Sequence, residues 1–256
     1  METGERFQIL NCQINRTDMN RAAQAVIQRV SQKAGGYVCF SNVHTVVTAH
    51  KDIRLRDITN HSFMSMPDGK PLSIVAGLSG IKDISQVAGP DFMLEMLNKY
   101  RNLRHFFYGS TKETLVLLTE KLKACFPGLN IAGAFSPPFR SLQGHEVIHI
   151  TAMINQTKPD IIWVGLGAPK QEYWMADHWD ELKPAILMGV GAAFDFHAGR
   201  VARAPKWMRK IGLEWFYRFC QEPSRLWKRY LVTNSLFFYY LMKYGVIGKI
   251  VMRRKK

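Results

Sequence analysis

Short apolar runs alternate with longer segments whose apolar residues recur at helical spacing, and this alternation constrains the fold more than any other feature of the chain. "RFQILNCQI" reads as a first strand, and "TDMNRAAQAVIQRVSQK" as a helix with Thr17 or Asp18 as its N-cap. "GYVCFSN" is a buried strand, "VHTVVTAH" opens the next helix, and "HSFMSMPDGKP" is a short strand ending in a turn. "GPDFMLEMLNKY" (helix), "RHFFYGS" (strand), "TKETLVLLTEKLKACF" (helix), "LNIAGAF" (strand) and "GHEVIHITAMINQT" (helix) continue the series. "PDIIWVGLGAPKQEYWMADHW" is strand, glycine turn and helix, and "AILMGVGAAFD" is a further strand and turn. This order predicts an α/β fold: a Rossmann-like, mostly parallel sheet with helices on both faces. Ligands of such sheets bind beyond the C-terminal ends of the strands. Four strand ends there are polar or glycine-rich: "SNVH", "MPDG", "GLGAPKQ" and "GVGAAFD".

Charge divides the chain. The 256 residues carry a net charge of +15. From Arg200 onward there are fifteen Lys/Arg and two acids, a surplus of +13. The expected organisation is a near-neutral body over 1–199 and a basic, aromatic, helical appendage over 200–256. Within the appendage, Arg203 to Tyr230 alone holds eight Lys/Arg and seven aromatic residues. Such a surplus implies an anionic partner: nucleic acid, acidic lipid or a phosphorylated substrate. Cys12, Cys39, Cys125 and Cys220 show no CxxC spacing, which argues against a zinc site or a disulfide framework. "METGERFQIL" lacks an apolar core, so no signal peptide is expected.

The longest uncharged stretch of the tail, Tyr230 to Met242, is thirteen residues. A bilayer span needs ~20. Cations on both sides fit a helix lying in the headgroup layer, and the plain alternative is a C-terminal helix packed on the core.

Several strand ends have residues suited to chemistry. In "GLGAPKQEYW", Gly165 and Gly167 allow close backbone approach, Pro169 suits a first helical turn, and Lys170 and Gln171 project near the helix start. The segment is a phosphate or nucleotide pocket, or simply a tight strand-to-helix turn. Asp68 in "MPDG" is placed as a general base for an alcohol, or as an ordinary turn aspartate. Asn42 and His44 sit at another strand end, and His197 follows "GVGAAFD". No Asp-x-Asp pair follows a strand, so arginines are the candidates to neutralise a diphosphate in place of a divalent ion.

Taken together and in order, "SN", "PDG", "VAGPDFM", "GLGAPKQEYW", "GVGAAFDFHAG" and "RAPKWMRKIGLEWFYR…EPSR…RY" resemble the WecG/TagA/CpsF family, glycosyltransferase family 26, from about Phe7 to Tyr230. The resemblance implies an inverting transferase with no metal and no cofactor, peripheral (monotopic) at the cytoplasmic face of the bacterial inner membrane. It implies a UDP-sugar donor (N-acetylmannosamine, its uronic acid, glucose or similar). The implied acceptor is a polyprenyl-diphosphate-linked saccharide, serving exopolysaccharide, common antigen or teichoic acid synthesis. It assigns Asp68 as catalytic base and Asn42 and Gln171 to the same pocket. Arg218, Arg225 and Lys228 (or Arg229) of the appendage are assigned to the nucleotide diphosphate. Backbone N–H groups near Gly167 and Gly191 then help to hold the donor. The sequence departs from the family pattern in three places: Phe40 for Thr, the pair Val43-His44 for Pro-Glu, and Gln86 for Arg. The expected partners are donor, lipid-linked acceptor and an anionic membrane surface, with a homo-oligomer as the remaining partner class. Two other classes stay open: a non-catalytic scaffold of a polysaccharide assembly complex, and a basic nucleic-acid-binding protein, which lacks a recognised motif.

Overall fold

The computed structural model describes residues 4–244. Among them, six parallel strands form one sheet in the order β4-β3-β8-β7-β5-β6. The strands are β3 (Gly36–Ser41), β4 (Met64–Pro67), β5 (His105–Gly109), β6 (Ile131–Phe135), β7 (Ile161–Gly165) and β8 (Ile186–Gly189). Successive side chains point to opposite faces, so each strand feeds two cores. Phe40, Met66, Trp163 and Met188 pack under α1 (Met19–Ser31), α5 (Gly89–Lys99), α6 (Lys112–Cys125) and α9 (Ala193–His197). Cys39, Tyr108, Val164 and Leu187 face α3 (Ile53–His61), α7 (Gly144–Gln156) and α8 (Lys170–His178). Burial on both faces explains why β3, β5, β7 and β8 read as largely apolar runs, while β6 at the sheet edge is only partly covered.

The expected first strand differs from what the structure shows. "RFQILNCQI" folds as an antiparallel hairpin, β1 (Arg6–Ile9) and β2 (Cys12–Asn15), which forms a sheet of its own. Leu10 turns the chain with a φ of 52°. The hairpin is fastened to the edge of the main sheet through Asn15, whose Oδ1 accepts the Ser65 N–H at 2.8 Å. Arg6 donates to the carbonyls of Asn60 and Ser62, each at 2.6 Å.

A third apolar cluster joins the hairpin to α2 (Val43–Lys51), α4 (Lys70–Leu78) and α12 (Pro223–Lys243). Phe237 and Leu241 of α12 are buried in it. One face of the tail is therefore an ordinary core-packed helix. The adjoining face is apolar and exposed, with Trp227 at 46%, Leu231 at 62%, Phe238 at 67% and Met242 at 66%. At 100° per residue these four lie within about 60° of one another. Among the described residues no helix is long and apolar enough to cross a membrane. The chain reaches α12 through α10 (Lys206–Lys210) and α11 (Glu214–Gln221).

Candidate active site

Asp68 follows the last residue of β4, and three neighbours fix it. The Gly89 N–H, in the first turn of α5, donates to Oδ1 at 3.1 Å. The Asn42 amide donates to Oδ2 at 3.4 Å. Gln86 Nε2 donates to the Asp68 backbone carbonyl at 2.6 Å. Asn42 is also the N-cap of α2, accepting from the Thr45 N–H at 3.2 Å, so the cap role and the contact with Asp68 coexist in one side chain. Burial pushes the Asp68 carboxyl up to about 6. The Gly89 and Asn42 hydrogen bonds pull against that rise, Glu214 adds to it, and Arg203 opposes it. A carboxyl near 6 is ionised at neutral pH and is a stronger base than a free aspartate.

The neighbouring strand ends lie beside Asp68. The α5 N-terminus lies over β3 and β8: a Cβ added to Gly89 would come within 3.5 Å of Phe40 and 3.6 Å of Val190 Cα. Gly191, with a φ of 56°, follows directly, and a Cβ there would meet Gln171 Oε1 at 3.6 Å. Gln171 is 3% exposed. Its Nε2 donates to the Gly189 carbonyl at 2.8 Å and to Glu172 Oε1 at 2.9 Å. Oε1 has no hydrogen-bond partner among the described residues. Gln171 thus holds the β8 terminus with its amide nitrogen and keeps its oxygen toward Gly191. Gly167, with a φ of 78°, lies in the β7–α8 loop with open space where a side chain would stand.

The appendage reaches this site. A Cβ on Gly212, in the α10–α11 turn, would lie 2.9 Å from Lys70 Cβ, so that turn rests on the start of α4, two residues after Asp68. Arg203 and Glu214 are near enough for their charges to act on Asp68. Arg218 stacks its guanidinium over Phe196 of α9, 5.4 Å from the ring centre. The side chains of Arg225 and Lys228, and that of Arg229, lie outside the described residues.

With the geometry in place, comparison with known proteins decides the class. Residues 7–250 match the model of the glycosyl transferase WecG/TagA/CpsF family. The chain belongs to that family. It is 32% identical over 205 residues to the N-acetylglucosaminyldiphosphoundecaprenol N-acetyl-beta-D-mannosaminyltransferase of Bacillus subtilis (strain 168), covering 79% of this chain and 77% of that protein. The enzyme of the same description from Bacillus spizizenii (strain ATCC 23059 / NRRL B-14472 / W23) is 31% identical over 204 residues, again 79% and 77% of the two chains.

Within this WecG/TagA/CpsF member, two of the three expected departures from the family pattern, Phe40 and Gln86, lie beside the Asp68 loop. Phe40 packs against Phe92 with ring centres 5.6 Å apart and planes tilted by 56°, and it lies beneath Gly89. Gln86 holds the Asp68 loop by its backbone, and His44 sits in the first turn of α2. His197 is structural: its Nε2 donates to the Pro90 carbonyl at 3.0 Å, and burial keeps its pKa low. Asp91, which has no local signal beyond "GPDF", turns out to bind the appendage: it pairs with Arg203 and Arg209.

Against the expectation of no HxxxH or HExxH spacing, the sequence contains His145-Glu146-Val147-Ile148-His149, which suits zinc on a helix. In the structure Glu146 caps α7 through the Gln143 N–H at 2.8 Å and pairs with Arg140 at 2.7 Å. Among the described residues no group of three His, Cys, Asp or Glu could hold a metal ion.

Proposed function

We propose that this glycosyltransferase moves a hexose-type sugar from a UDP-sugar to a polyprenyl-diphosphate-linked saccharide, with inversion, in the assembly of a bacterial surface polymer. The observation that carries the proposal is the Asp68 carboxyl, raised to about 6 and aimed by Gly89 and Asn42 beneath a cationic appendage. The Bacillus relatives, whose names specify a diphosphoundecaprenol-linked acceptor and an N-acetylmannosaminyl group, support the choice of substrates.

In this mechanism Asp68 takes the proton of the acceptor hydroxyl as its oxygen attacks the anomeric carbon. A well-placed base contributes ~10²–10⁴-fold. UDP leaves from the opposite face and gains charge. Arg218, with Arg225 and Lys228 further along the appendage, stabilises that charge in a site from which the lid excludes water. Gln171 and the N–H groups near Gly167 and Gly191 hold the donor. Residues 200–256 then form a functional unit: a lid on one side and, through the exposed Leu231, Phe238 and Met242 face of α12, a foot on anionic lipid. The enzyme then works peripherally at the cytoplasmic membrane face, where a lipid-linked acceptor is concentrated.

The test is UDP release with a synthetic lipid-diphosphate-linked acceptor over a panel of UDP-sugars, in EDTA. Release that depends on both acceptor and Asp68 supports the reading. No release with any donor, or release abolished by EDTA, overturns it.

A further inference from the structure

We propose that Asp91 is a positioning residue for sugar transfer, fastening the cationic appendage to the same helical turn that aims the catalytic carboxylate. The inference rests on the transferase reading above and adds a residue to it.

Asp91 lies in the first turn of α5, where a carboxylate is favoured by the helix dipole. Its two oxygens take the Arg203 guanidinium in a fork, Nη1 at 2.6 Å and Nη2 at 2.8 Å. Arg209 Nη1 shares Oδ1 at 2.9 Å. Arg203 Nε reaches on to Glu214 Oε1 at 2.9 Å. One carboxylate therefore gathers the segment before α10, α10 itself and, through Arg203, α11. The two arginines are largely withdrawn from solvent, with 15% and 23% of their side chains exposed. A planar fork in such a setting fixes orientation as well as distance.

The residues beside Asp91 make this more than a tie between surface helices. Gly89 donates its N–H to Asp68, Pro90 gives its carbonyl to His197 of α9, and Asp91 binds the appendage. Three consecutive residues thus hold the base, α9 and the lid. Phe196, the residue before His197, carries Arg203 and Arg218 over its ring at 5.9 and 5.4 Å. The arginine proposed to meet the leaving group shares its aromatic platform with the arginine held by Asp91. A shift of the lid reaches Asp68 through one turn of backbone, and misplacement by about 1 Å is enough to slow an enzyme ~10²-fold.

Asp91→Asn keeps the size while removing the charge that grips both arginines and that the helix dipole favours. Two measurements test the proposal. With a water-soluble short-chain acceptor, the variant should lose about 10-fold or more in kcat while its donor KM stays within about 3-fold, because the loss falls on the transition state. Asp91→Glu should restore part of kcat, and Arg203→Gln added to Asp91→Asn should cost little more, since both break one unit. Hydrogen exchange without substrate should quicken over 206–221 in Asp91→Asn and stay unchanged over α7. Wild-type kcat in Asp91→Asn, losses that multiply in the double variant, or unchanged exchange over 206–221 would each overturn the proposal. A wild type that transfers no sugar overturns the transferase reading instead, and the exchange measurement still decides whether Asp91 holds the lid.

Discussion

Replacing the Asp68 carboxyl with an amide should stabilise the protein at neutral pH while removing its activity. An ordinary aspartate titrates near 3.8, whereas burial pushes Asp68 up to about 6. Below 3.8 both the folded and the unfolded chain carry the proton, and the carboxyl has no effect on stability. As pH rises from there to about 6 the unfolded chain releases its proton first, so the folded state loses ground. Above about 6 the whole penalty is present. At 1.36 kcal/mol per tenfold change in proton affinity the gap is worth about 3 kcal/mol. Asp68 is half-buried, and solvent screening trims this to about 2 kcal/mol. Asn at 68 retains an oxygen for the Gly89 N–H and gives up only the long 3.4 Å contact from the Asn42 amide, so the variant should keep the local structure. Urea unfolding of wild type and Asp68→Asn is the assay. The variant should be more stable by about 2 kcal/mol at pH 7.5 and about 1 kcal/mol at pH 5, with the difference nearly gone at pH 4. A variant less stable than wild type at pH 7.5, or a difference that does not shrink on acidification, would refute the idea that the fold holds this carboxylate at a cost in stability.

The same pKa sets the acid limb of activity: kcat/KM should rise with pH through about 6, and a limb near 4 would mean that another group limits the reaction. Phe237→Ala empties a buried position in the cluster under α12, so it should cost about 3 kcal/mol in urea and speed proteolysis of the tail; wild-type stability would show that α12 is not docked there. Leu231→Ser with Phe238→Ser alters only the exposed face of α12. It should weaken binding to anionic vesicles about 10-fold or more with stability kept within about 0.5 kcal/mol, and undiminished binding would move the lipid contact elsewhere.

The body of the fold was legible because buried parallel strands leave a plain trace: "GYVCFSN" and "DIIWV" are apolar on both faces and end in turns. The hairpin was not, because its turn uses Leu10 at positive φ, a residue that gives no turn signal and sits within an apolar run. Strand order was not legible either, since alternation of strands and helices says nothing about which strand lies beside which. In the tail, Phe237 and Trp227 lie only about 80° apart around one helix, one buried and one exposed, and composition alone does not separate an inward face from an outward one. Asp68, Asn42, Gly191 and Gln171 were findable because each closes a strand or opens the helix after it, where such folds bind ligands. Asp91 was hidden for the opposite reason: its partner Arg203 is 112 residues away, and an ion pair across that distance has no pattern in the sequence.

The central claim is that Asp68 is the base beneath the lid. Single-turnover transfer from a labelled UDP-sugar, run with Asp68→Asn beside wild type at saturating lipid-linked acceptor, tests it most directly. The mechanism predicts a rate lower by ~10²–10⁴-fold with donor affinity retained. Transfer at the wild-type rate by the amide variant would contradict it.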